Sequence, residues 1–210
     1  MVNILSQLYL LTMGLRLPQP TYRGQLTLEE ALLRRRSVRS YLPEPITLEE
    51  LSQLLWAAQG VTDPYGFRTA PSAGALYPLE LYLHAVKVEG IETGIYRYDP
   101  HRHSLLDIKL GNFVPEVYAA ALNQEAVLSA PLLVFFFALF ERTTVKYGRR
   151  GIRYVFNEVG HAGQNLYLQA TALGLGTVVI GAFYDEELKE VVGARRDEEP
   201  LYIMPVGRVE

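Results

Sequence analysis

Four guanidinium groups and two serine hydroxyls fall within Arg34-Arg35-Arg36-Ser37-Val38-Arg39-Ser40. The run follows a short predicted helix that opens at Thr27, with Glu30 three residues on, the spacing of a capping box. Its core stripe reads Leu28, Ala31 and Leu32, and the same stripe reaches Arg35 seven residues after Leu28. Arg36 flanks that stripe, whereas Arg34 sits at the i, i+4 spacing that suits a pair with Glu30. Arg35 and Arg36 are therefore expected to aim inward. A charge turned inward needs a partner, because an unpaired one costs several kcal/mol. No acid close in sequence supplies it. A bound phosphate, held by Arg35, Arg39 and the Ser37 hydroxyl through charge-assisted hydrogen bonds, would do so. Arginines at a helix end also complement its dipole and snorkel to water. The stretch alone does not choose between the two readings.

The chain has no cysteine, which excludes disulfides, thiolate metal sites and cysteine catalysis, so redox chemistry would come from a cofactor. With only four histidines, two of them in His101-Arg102-His103, no metal centre is expected. The net charge of −3 gives no general attraction to nucleic acid or anionic membrane.

At 210 residues one domain is the natural reading, residues 26–210, preceded by an N-terminal arm over residues 1–25. The apolar run from Ile4 to Leu17 is too short to span a bilayer and lacks the basic start of a signal peptide. It reads as a helical arm, and the protein as cytoplasmic. Thr47 and Glu50 form a second capping box for a helix that stops at Gly60. Residues 61–78 are loop-like. Leu79 to Val88 reads as a strand, Ile95–Tyr98 and Leu105–Lys109 as a hairpin, and Val114–Leu122 as a helix. Pro131 to Phe140 is a strand buried on both faces. From Arg149 to Leu173 a helix of about 38 Å carries Ile152, Phe156, Val159, Gly163, Leu166, Ala170 and Leu173 in steps of four and three. Gly160, Ala162 and Gly163 would let another backbone approach, at a domain centre or between subunits. His161, within that helix, is expected to be buried and structural. Thr177–Ile180 is a strand, Asp185 caps a short helix, and Leu201–Val206 is a last strand. Strands and helices over one unbroken length argue for an α+β domain.

The chain resembles the FMN-dependent nitroreductases, and within them the SagB-type, azoline dehydrogenase-like branch. The likeness runs from about Leu26 to Arg208. Arg35-Arg36-Ser37-Val38-Arg39 is similar to the family's opening motif, which holds the FMN phosphate and ribityl chain. Thr69 to Pro78, containing Pro71, Ser72, Ala73, Gly74 and Leu76, resembles the branch's second motif, which reaches the flavin from the other subunit. Lys146-Tyr147 with Gly148-Arg149-Arg150-Gly151 and Tyr154 is similar to the stretch ahead of the dimer helix, and Glu158-Val159-Gly160-His161 with Gln164-Asn165 to that helix's start. Val179-Ile180-Gly181-Ala182 matches backbone near the flavin ring, and Gly207-Arg208 a closing phosphate contact.

The resemblance implies a mostly antiparallel sheet flanked by helices, with the long helix at a homodimer interface. It also implies FMN as cofactor and NAD(P)H as electron donor for a small nitroaromatic or quinone-like acceptor. There is no Gly-x-Gly-x-x-Gly fingerprint for a separate dinucleotide domain. Ile180 and Gly181 would lie by the ring, with the Gly181 N–H toward N5 or the glycine needed only for a turn. Gln124 would face the pyrimidine edge or serve as a plain surface amide. In azoline oxidation Lys146 would take a proton from a substrate carbon while flavin N5 accepts the hydride. The alternatives are that oxidation, with oxygen as acceptor, or a non-catalytic flavin-binding protein.

Overall fold

A computed structural model describes residues 14–209. Among them seven strands form one sheet: β1 (Leu15–Arg16), β2 (Leu79–Ala85), β3 (Gly94–Asp99), β4 (Ser104–Leu110), β5 (Leu132–Ala138), β6 (Leu175–Thr177) and β7 (Glu199–Arg208). Their order is β1-β4-β3-β2-β5-β7-β6, and every neighbouring pair is antiparallel. The helices are α1 (Leu28–Arg34), α2 (Leu48–Gln59), α3 (Val114–Ala120), α4 (Ala126–Ser129), α5 (Phe140–Tyr147), α6 (Arg150–Ala172) and α7 (Asp185–Val192), with a single 3-10 turn at Ala73–Ala75.

Strand β5, interior to the sheet beside the central β2, explains the two-layered core. All seven of its residues are buried. Val134 and Phe136 join Leu51, Leu54 and Leu55 of α2 and Val155, Val159 and Leu166 of α6 on one face. Leu133, Phe135 and Phe137 join Val117 of α3 and Leu188 and Val192 of α7 on the other. Alternating side chains thus meet a helix layer on either side, which is why the strand's sequence shows no polar alternation.

Both capping boxes form as expected. The Thr27 hydroxyl accepts the Glu30 N–H at 3.2 Å, and the Thr47 hydroxyl the Glu50 N–H at 3.1 Å. Arg34 pairs with Glu30 at 3.2 Å. The α1 stripe differs from expectation: Ala31 is buried, but Leu28, Leu32 and Leu33 are exposed. The helical arm expected through Leu17 ends instead in β1, paired with β4, while the remainder of that run lies outside the described residues. Gly14 permits that pairing, since a Cβ there would lie 2.2 Å from the Leu105 carbonyl oxygen. At α7 the cap is Tyr184, and Asp185 is the first helical residue.

Helix α6 splits the predicted seam. Val159, Gly163, Leu166 and Ala170 face the core, with a Cβ on Gly163 falling 3.6 Å from the Tyr202 ring. Ile152 and Phe156 are exposed, as is His161, and a Cβ on Gly160 would meet no atom within 4 Å. Positions seven apart stay within about 20° of one another, so the seam keeps one face and what changes along its length is what that face meets. No helix among the described residues is long and apolar enough to cross a membrane.

Candidate functional site

The arginine stretch leaves α1 at Arg35, whose backbone is already extended (φ −50°, ψ 124°). Helical periodicity therefore stops applying one residue before Arg36. Arg36 is exposed and turns back to donate to the carbonyls of Leu33 (3.0 Å) and Arg35 (2.7 Å), so the inward aim expected for it is absent. Arg35 is half-buried, with its guanidinium 5.1 Å from the centre of the Tyr167 ring. Residues 37–38 then run beside the end of β6. Ser37 bridges Thr177, and the Val38 N–H donates to the Thr177 carbonyl at 2.9 Å. Gly176 allows the approach, because a Cβ there would lie 2.8 Å from Val38 Cβ.

Tyr167 of α6 organises this edge. Its hydroxyl lies 3.0 Å from the Ser37 hydroxyl and accepts the Val179 N–H at 2.9 Å, while its ring faces Arg35. One phenol thus fixes the arginine stretch against the Val179–Gly181 turn. Ile180 is buried and paired with Ile203, and Gly181 is exposed with open space on its side-chain face. Gln124 donates to the Ala182 carbonyl at 2.9 Å and tethers the same turn. Arg39 is exposed. Among the described residues no carboxylate lies within ion-pair distance of Arg35 or Arg39. Arg208, by contrast, is shared between Glu50 at 3.0 Å and Glu44 at 3.4 Å.

A second cluster gathers around Pro71–Leu76. The Ser72 hydroxyl accepts the Tyr77 N–H at 2.9 Å, closing the loop on itself. Gly74 (φ 66°), Ala75 (φ 54°) and Tyr77 (φ 45°) occupy the left-handed region. For the two non-glycines this costs about 1–3 kcal/mol each, a strain that tends to mark functional loops. Lys146 and Tyr147, from the end of α5, close over this loop: a Cβ on Gly74 would lie 2.8 Å from the Tyr147 hydroxyl and 2.9 Å from Lys146 Nζ. Tyr147 is braced edge-on by Tyr154 of α6 at 5.1 Å. Pro71, Ala73 and Leu76 sit on the same loop, Pro71 exposed and the other two half-buried.

Beneath the loop lies Glu158 of α6, 2% exposed. Burial pushes its carboxyl up to about 7, opposed by the Ser72 hydroxyl and the charge of Arg68. This acid is a sequence signal of the same kind as Arg35, a charge adjoining an apolar stripe. Tyr167 gave no such signal, since an aromatic residue in an apolar helix reads as core.

The two clusters sit at opposite ends of α6. Tyr154 and Tyr167 are separated by about 20 Å along the axis at 1.5 Å per residue. Between them the helix shows solvent the apolar side chain of Phe156 and the bare backbone of Gly160.

A seven-stranded antiparallel sheet crossed by one long helix, with polar clusters at both ends of that helix, defines an α+β fold. The model of the nitroreductase family matches residues 32–208. A protein of Methanocaldococcus jannaschii named as a nitroreductase is 51% identical over 197 residues, covering 94% of this chain and 97% of its own. The crystal structure of a nitroreductase-type protein from Ralstonia eutropha superposes with a TM-score of 0.81 at 30% identity, covering 94% of this chain and 90% of that one. The microcin B17-processing protein of Escherichia coli is 27% identical over 172 residues, 78% of this chain and 63% of its own length. The chain belongs to the nitroreductase family, and its class is that of the flavin-dependent oxidoreductases.

Proposed function

We propose that two copies of this chain form a homodimer with two equivalent FMN sites, which carry reducing equivalents from NAD(P)H to a nitroaromatic, quinone-like or similar small acceptor. The observation that carries this reading is the separation of the two clusters. The arginine edge and the Gly74 loop lie toward opposite ends of α6, with Tyr167 and Tyr154 about 20 Å apart along its axis. A two-fold pairing along the exposed face of α6 brings the edge of one copy to the loop of the other. Exposed Leu28, Leu32, Leu33, Ile152 and Phe156 supply apolar surface for such a pairing.

The residues suit the cofactor. Among the described residues Arg35 and Arg39 have no acid in ion-pair contact, and a phosphate is an anion that suits guanidinium donors. Ser37 would add a hydroxyl, with Arg208 joining as Glu44 gives way. Gly181 and Ile180 offer backbone to a flat ring, Gln124 orients that turn, and Pro71, Ser72, Ala73, Gly74 and Leu76 of the second copy would cover the ring's other side. Bound flavin supplies two-electron transfer at its N5 atom. The chain's own part is to exclude water with these small residues and to hold protons at Lys146 Nζ and the Tyr147 hydroxyl.

The convergence of that amine and that phenol on Gly74 also favours a second reading. Lys146 would remove a proton from an azoline carbon, with oxygen as final acceptor. The two are separated by anaerobic mixing of the yellow protein with NADH and with NADPH. Rapid bleaching supports the first. Lys146→Ala that abolishes azoline oxidation while sparing quinone reduction supports the second. Protein that takes up no FMN defeats both.

A further inference from the structure

Beside the Gly74 loop, and sharing only Leu76 with the residues assigned to flavin, lies a cavity of about 530 Å³. That size is in the range of small-molecule pockets. Its walls carry three guanidiniums, Arg68, Arg97 and Arg142. The buried Glu80 carboxylate answers two of them: Arg97 at 2.6 and 3.1 Å, and Arg142 at 2.6 Å. Arg142 also donates to the Tyr77 carbonyl at 2.9 Å.

Among the described residues Arg68 has no carboxylate in ion-pair contact. It donates to Gln59 Oε1 at 2.8 Å and stacks 4.6 Å over the Tyr77 ring, while its own Nε and Gln59 Nε2 lack partners. Burial lowers its pKa. Asp99 on the rim is occupied by its own turn, accepting the N–H groups of His101 and Arg102 and lying 3.9 Å from the Arg102 guanidinium. Glu80 and, more weakly, Glu158 act on Arg68 only at a distance. The cavity thus holds one guanidinium with no carboxylate in direct contact, and its other walls mix Phe67, Tyr98 and Leu106 with the polar side chains of Gln59 and His101.

We propose that this cavity binds the carboxylate of an organic acid with an aromatic or apolar body, Arg68 taking the anion and the aromatic walls the body. Arg142 and Lys146 are four residues apart on α5 and share a face, about 6 Å apart along the axis. Ala75 and Leu76 join the cavity to Gly74, where Lys146 Nζ sits. An acid anchored at Arg68 therefore extends past Leu76 toward Lys146. Its use as a substrate rests on the oxidoreductase reading above, whereas its binding does not.

The test is calorimetric titration of the full, FMN-loaded chain with 3-phenylpropionate and its uncharged amide. The acid should bind at least tenfold more tightly than the amide. Arg68→Gln should lose at least tenfold in acid affinity, leaving amide affinity and flavin content unchanged. Equal affinities for acid and amide, or a folded Arg68→Gln protein with undiminished acid affinity, would overturn the proposal. Should Arg68→Gln fail to fold, Phe67→Ala tests the wall, and unaltered acid affinity there overturns it equally. Inorganic phosphate that displaces the acid at equal concentration would overturn the carboxylate assignment in favour of a phosphate site. Colourless protein that still binds the acid refutes the flavin reading alone. Yellow protein that ignores the acid refutes the pocket alone.

Discussion

Arg35 and Arg36 are neighbours with opposite fates, and the difference is measurable. Arg35 stacks on Tyr167 with no acid in reach, whereas Arg36 satisfies carbonyls on the surface. Arg35→Ala should weaken FMN binding about ten- to a hundredfold, from loss of a charge-assisted contact worth about 1.5–3 kcal/mol. Arg36→Ala should change it by less than about threefold, as equilibrium dialysis would read. Glu158 offers a pH signature. Its carboxyl binds its proton up to about pH 7 in the folded chain but only in the ordinary carboxylate range when unfolded. The native state then holds the extra proton between those limits, so stability falls as pH rises through that window and levels above it. Glu158→Gln should remove this slope, making the variant about 1–3 kcal/mol more stable than wild type at pH 8. Urea unfolding at pH 5 and pH 8 checks the sign, the wild-type difference isolating Glu158 from other titrating groups.

At the scale of elements, α6 separates two glycines that look alike on a helical wheel. Gly163 packs on Tyr202 and Met204 of its own sheet, whereas Gly160 faces open space. Gly163→Leu should destabilise the fold by about 1–3 kcal/mol through overpacking. Gly160→Leu should leave the thermal midpoint of the isolated chain nearly unchanged yet abolish dimerisation, as sedimentation velocity reports. Sequence pattern found α6 within a residue at each end and both capping boxes, because caps and long apolar periods are local signals. It could not divide the α6 seam or the α1 leucines between interior and surface, since periodicity records which residues share a face and not what that face meets. The two-residue strand β1 was invisible for another reason. It exists only through its pairing with β4, and a run that short carries no alternation to read.

For the whole molecule, the proposed sites tie cofactor to assembly. Dilution below the dimer's dissociation constant should release flavin in parallel with dissociation, followed by flavin fluorescence across a concentration series. Flavin retained by a monomer would contradict the composite site. The family-like motifs were legible as separate strings, but not the Tyr167 phenol that joins two of them, nor the Arg68–Glu80–Arg142 group, assembled from a loop, a strand and a helix far apart in sequence. Glu50 carries a further consequence. The same carboxylate caps the first turn of α2 through the Thr47 N–H at 2.9 Å and grips Arg208 at 3.0 Å. The opening of an early helix is stapled to the final strand, across 158 positions of chain. The Thr47–Glu50 cap is local and can close early, whereas the grip on Arg208 closes only once β7 has docked, so Arg208→Ala should leave the Glu50 N–H protected in amide exchange while loosening the β7 end it holds.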